Sequence, residues 1–133
     1  MANVNDVCRA TVEDVSDSLA CGVVDLNTGM FLGVHHIVPH FTQAYLDAVA
    51  AAAVDMLRGK TIRRVEQLLS KQRGQEVINT TNEVFMSSDH VFHFMKVMKD
   101  KDAVVVLVTK TTSNQGSGWA AVRNSISDFQ AAM

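Results

Sequence analysis

The residues of this chain with the most versatile chemistry are its five histidines, His35, His36, His40, His90 and His93. An imidazole with a pKa of about 6.5 can ligate a metal or move a proton near neutral pH. The spacing opposes both uses. His35 and His36 are neighbours in a β-rich run, so their side chains leave on opposite faces, and His90 and His93 separate in the same way if both are extended. A shared metal would need a distant partner such as Asp89, His40 or Cys21, and no spacing selects one. That leaves His35 or His93 as an isolated acid–base group in a small enzyme, which is weak evidence for catalysis. Cys8 and Cys21 are too few for a disulfide framework and too far apart for a Cys-x-x-Cys redox or zinc motif. They read as buried thiols in a reducing compartment. Neither a Gly-x-Ser-x-Gly elbow nor a Cys-centred equivalent is present. Gly116-Ser117-Gly118 offers small residues at a helix start, where unpaired N–H groups hold anions. It lacks both the dinucleotide-binding glycine pattern and a Gly-Lys-Ser/Thr ending, and reads as a plain helix-start loop. No catalytic residue, metal ligand or cofactor is assigned.

Composition narrows the partners. The 133 residues are 47% hydrophobic and 20% charged, the balance of a packed domain, and the formal net charge is -2. Such a charge makes no field that would gather nucleic acid or an anionic membrane. The densest basic stretch, Lys60 to Arg64, is interrupted by Thr61 and Ile62 and reads as a solvated helix start. Met1 to Asp6 lacks the basic and then apolar pattern of a leader, and no apolar run approaches the ~20 residues of a membrane span. A cytoplasmic protein of one domain, residues 1–133, is expected. The Asn79-Thr80-Thr81 triplet matches a glycosylation acceptor but is discounted without a secretory context.

The elements that must position any site follow from periodicity. Thr11 and Asp14 have capping-box spacing, with Val12, Val15 and Leu19 at helical steps behind them, which predicts a short first helix. Cys21 to Leu26 and Met30 to Val34 are β-rich runs joined by Asn27-Thr28-Gly29, a hairpin turn that tolerates positive φ. Pro39 ends the second run. Phe41 to Arg58 is an alanine-rich helix stopped by Gly59. It carries two apolar stripes, Phe41, Tyr45, Ala48, Ala52 and Met56 beside Leu46, Val49, Ala53 and Leu57, more than one sheet contact requires. Thr61 to Gly74 is a further amphipathic stretch with Ile62, Val65, Leu68, Leu69 and Gln72 on one face. A loop, Gln75 to Asn82, leads to three strands, Glu83 to Ser88, Val91 to Val97 and Ala103 to Lys110, arranged as a meander. The last is apolar without alternation, as a central strand covered on both faces would be. Trp119, Val122, Ile126 and Phe129 then mark a final helix.

The order helix, two strands, helix, three strands, helix resembles the roadblock family of dynein light chains and its bacterial relatives that regulate small GTPases. The likeness is carried by Ala20 to Gly29, the alanine-rich helix from Phe41, the strand Ala103 to Thr109 and the loop Asn114 to Gly118. It covers nearly the whole chain; the stretch Thr61 to Gly74 is an addition to the family pattern. The resemblance implies an α/β (α+β) profilin-like fold, a five-stranded antiparallel sheet with helices on both faces. It also implies a non-enzymatic homodimer in which third strands pair edge to edge and central helices pack together. The sequence supplies a candidate for each part, an edge strand and a helix with surplus apolar surface. The expected interface residues are Phe41, Tyr45, Ala48, Ala52, Val84 and Met86. Partners beyond a second copy are a small GTPase or a scaffold protein, with neither nucleic acid nor membrane expected. The alternative is a small-ligand-sensing domain of the related profilin-like folds, its pocket lined by Phe92, Phe94, Met86, Met95 and Met98.

Overall fold

The first helix, α1 (Val4–Asp14), starts well before the Thr11 cap read from the sequence. The structure, a computed structural model, describes residues 2–133. In it Asn3 is the N-cap, and the capping box joins Asn3 to Asp6 by reciprocal bonds of 2.9 and 3.1 Å. Thr11 lies inside the helix and donates its hydroxyl back to the Val7 carbonyl at 2.8 Å. The chain turns extended at Val15, passes through Asp17 at φ 64°, and carries Leu19 into the first strand instead of the helix.

Strands β1 (Ser18–Asp25) and β2 (Phe31–His36) form the expected hairpin. Its turn is pinned by Asp25, whose carboxylate accepts the Asn27 N–H at 3.1 Å and the Thr28 hydroxyl at 3.0 Å, with Gly29 at φ 72°. The remaining elements are α2 (Gln43–Arg58), α3 (Lys60–Arg73), β3 (Glu83–Ser87), β4 (Val91–Met98), β5 (Ala103–Lys110) and α4 (Gln115–Ala132). Helix α2 begins at Gln43 because Thr42 caps it through the Tyr45 N–H, which leaves Phe41 in the preceding loop.

The five strands form one antiparallel sheet in the order β2-β1-β5-β4-β3, with β5 at its centre. Val104, Val106 and Val108 face one layer, built from α2, while Ala103, Val105 and Leu107 face the other, built from α1 and α4. This two-sided burial is why β5 lacks alternation. The α4 layer packs closely enough that a Cβ on Gly118 would lie 2.5 Å from the Phe94 ring. Gly118 is therefore a packing residue, and Asn114 caps the helix through the Ser117 N–H at 2.9 Å.

Cys8 and Cys21 meet in the α1 layer, 0% and 1% exposed. The hydrogen-bonded Cys8 thiol beside it, together with burial, pushes the Cys21 thiol well above its ordinary value, so Cys21 is held in the thiol form. Among the described residues, no helix is long and apolar enough to cross a membrane.

Candidate functional site

The sheet has two edges, and they are finished differently. At β2, the Asn5 side chain of α1 accepts the outward Val34 N–H at 2.9 Å, and Gly33 sits so close beneath Val4 that a Cβ would lie 2.5 Å from it. The middle of that edge is thus occupied by α1. At β3, Val97 donates to Asn82 and Ser88 donates to Val91, so even-numbered residues carry the ladder to β4. Glu83, Phe85 and Ser87 therefore turn their backbone N–H and C=O groups outward. Among the described residues nothing bonds to them. An uncovered row of this kind is a template for another strand.

The start of β3 is held from α4. Arg123 makes a bidentate contact to Glu83, both bonds 2.9 Å, with its guanidinium 5.1 Å over the Trp119 ring and Lys96 3.5 Å from the same carboxylate. The Arg123 contact holds Glu83 below the usual carboxylate range against the opposing effect of burial. These ties run on the α4 side of the sheet and leave the α2 side of β3 free.

On that α2 side, Val84 is half-buried and Met86 is 39% exposed. Helix α2 itself buries Leu46, Ala50, Ala53 and Leu57 on the sheet, and the opposite face shows Ala44, Ala48, Ala51 and Ala52 to solvent, flanked by Tyr45 at 41% exposure. Four of the six residues marked from the sequence, Tyr45, Ala48, Ala52 and Met86, are thus exposed, three on α2 and one on the side of β3 that faces the α2 layer. Phe41 differs. It is half-buried against the α2 core and stacks on Tyr45 at 4.7 Å, between His36 at 5.6 Å and His40 at 5.5 Å. Its role is to brace Tyr45 from below.

The histidines do not converge. Among the described residues no group of three His, Cys, Asp or Glu is placed to hold a metal ion. Phe94, Met95 and Met98, read from the sequence as possible pocket walls, are packed at 0%, 1% and 2% exposure. His93 is 8% exposed, sits opposite Met86 and Val108, and has no partner for Nδ1; burial pushes its pKa below the ordinary value. Its folded pKa is lower than its unfolded one, so its contribution to stability is complete above about pH 6.5 and is lost as the pH falls below that value. Urea denaturation of the wild type is expected to weaken between about pH 7 and about pH 5 more than that of a His93→Gln chain. Equal pH dependence in the two chains would remove His93 as the cause.

No family model and no curated protein matches the sequence. Solved structures do. A roadblock/LC7 domain from Streptomyces avermitilis superposes with a TM-score of 0.72 at 12% identity, covering 98% of this chain and 97% of that one. This chain has the roadblock fold. MglB of Myxococcus xanthus shares the roadblock fold at a TM-score of 0.68 and 14% identity, over 96% of this chain and 95% of that one. An MglB with a tetrameric arrangement gives 0.70 at 15% identity, over 96% and 88%. At these identities the roadblock fold fixes the order of elements, while the character of each edge and face is this chain's own.

Proposed function

We propose that this chain is a non-enzymatic, homodimeric regulator or adaptor that acts by protein–protein contact, with a small GTPase as its class of partner. The observation that carries the reading is the unpaired β3 edge, in a protomer whose α2 also leaves an alanine face uncovered. The outward groups of Glu83, Phe85 and Ser87 are centred on Phe85. A two-fold antiparallel pairing therefore sets Phe85 against Phe85 of a second copy and Glu83 against Ser87, using the whole strand. In that register Val84 meets Met86 across the axis, and the α2 faces carrying Tyr45, Ala48 and Ala52 lie above the join. The MglB solved in a tetrameric arrangement supports self-association of this fold, and the small-GTPase partner rests on the resemblance to bacterial roadblock regulators.

Light scattering is expected to give the mass of two chains for the wild type. A Tyr45→Glu chain should fall to the mass of one with an unchanged far-UV spectrum, since Tyr45 is 41% exposed and the charge is solvated in a lone protomer. A wild type with the mass of one chain at every concentration sinks the reading. For the partner class, a small GTPase from the same genome should be retained by the immobilised dimer in one nucleotide state only. Retention indifferent to nucleotide would take the GTPase out of the proposal.

A further inference from the structure

Helix α3 has its burial inverted. Its one fully buried residue is Glu66, 3% exposed, while Val65 and Leu68 stand 46% and 53% exposed. The polar side is stitched to the returning loop. Glu66 accepts the Thr80 N–H at 2.8 Å and hydroxyl at 3.0 Å, Arg63 bonds Asn79 at 2.6 Å, and the Ser70 hydroxyl accepts the Val77 N–H at 2.7 Å. Burial pushes the Glu66 carboxyl up, but the Thr80 bonds and Arg63 outweigh it and hold the group below the ordinary carboxylate value. The helix is thus held by its polar side with its apolar side aimed away from the protomer.

Charge says what covers that side. Of the 12 basic and 14 acidic residues of the chain, α3 holds Lys60, Arg63, Arg64, Lys71 and Arg73 against Glu66 alone. The outward face of α2 has the opposite character. Asp47 and Asp55 are exposed among its alanines, and its single basic residue, Arg58, is tied to Asp102 at 2.7 Å. An alanine face admits close approach of a second helix, and a two-fold contact requires the surface to contain both complementary halves. The β3 edge and an alanine stripe alone present little of the ~800 Å² per partner that a stable interface buries. Helix α3 leads through residues 74–82 into β3; its exposed Val65 and Leu68, with Ile78 exposed in the loop, are further apolar surface available to such an interface.

We propose that the apolar, basic face of α3 packs on the acidic alanine face of α2 in a second copy of this chain. The proposal rests on the self-association reading and deepens it, giving the extra helix the task of clasping the partner. Truncating a central anchor of an interface costs about 2 kcal/mol or more, so Leu68→Glu is expected to raise the dimer dissociation constant about thirtyfold or more. The far-UV spectrum should not change, because Leu68 is exposed in the lone protomer. Added salt should weaken the wild-type dimer. A chain carrying Leu68→Cys, mixed with one carrying Ala48→Cys and treated with a short bismaleimide, should give a mixed cross-linked pair in several-fold excess over Leu68→Cys alone; Cys8 and Cys21 are buried.

The outcomes separate the two levels. A wild-type dimer whose dissociation constant is untouched by Leu68→Glu overturns the α3 contact and leaves the β3 and α2 dimer standing. Cross-linking of Leu68→Cys chains to one another in preference to the mixed pair overturns it as well. Sedimentation with anionic phosphatidylglycerol vesicles that Leu68→Glu abolishes, with dimer mass unchanged, assigns the face to lipid instead. A wild type with the mass of one chain removes both proposals.

Discussion

A Ser87→Pro chain is expected to keep its protomer fold and lose its partner. The Ser87 N–H points away from β4, so a proline there removes no bond of the existing ladder, and edge positions are where strands tolerate proline. In the two-fold register the same N–H faces Glu83 of the second copy. Both symmetry-related bonds go at once, and each ring occupies the space of the incoming strand. With about 0.5–1.5 kcal/mol per hydrogen bond plus the steric cost twice over, the dissociation constant should rise about a hundredfold or more. Sedimentation velocity over a concentration series reads this directly. A proline chain that dimerises as the wild type does would mean that the β3 edge is not the join.

The largest loss of stability is expected at Phe94→Ala. Phe94 is 0% exposed and its ring lies 5.2 Å from Phe85 and 5.3 Å from Trp119, with Gly118 packed against it. Emptying such a site costs about 3–5 kcal/mol, a large share of the 5–15 kcal/mol or so that holds a typical domain together. Urea denaturation of a protomer kept monomeric by Tyr45→Glu isolates this term from dimerisation. A loss below about 1 kcal/mol would show that the α4 layer collapses into the space.

Most elements were legible because their signals are local. The Asn27-Thr28-Gly29 turn, the stop at Gly59 and the unbroken apolar run of β5 each follow from a few neighbouring residues. The start of α1 was not, because Asn3-x-x-Asp6 and Thr11-x-x-Asp14 offer equivalent caps; the choice between them is made by Val7 and Cys8 finding the sheet. Phe41 was read as helical from its spacing with Tyr45, but the Thr42 hydroxyl takes the capping position after it. For α3, periodicity showed that Val65 and Leu68 share a face. It did not show that the opposite face would be the one anchored, since that depends on Thr80 and Asn79 returning to Glu66 and Arg63 from a loop. The Asn5 contact to Val34 spans 29 residues and has no sequence signature at all.

That Asn5 contact decides the topology of any assembly built by edge pairing. In the terms of polymer chemistry, a strand-pairing protomer with two open ends is a bifunctional monomer, and its product is a fibre of indefinite length. In the proposed pairing, Val34 is the position where the second end is already taken, by a side chain of its own protomer. Coupling through β3 then leaves the middle of β2 closed to a further strand, so the Asn5 amide on the first turn of the first helix acts as a chain terminator.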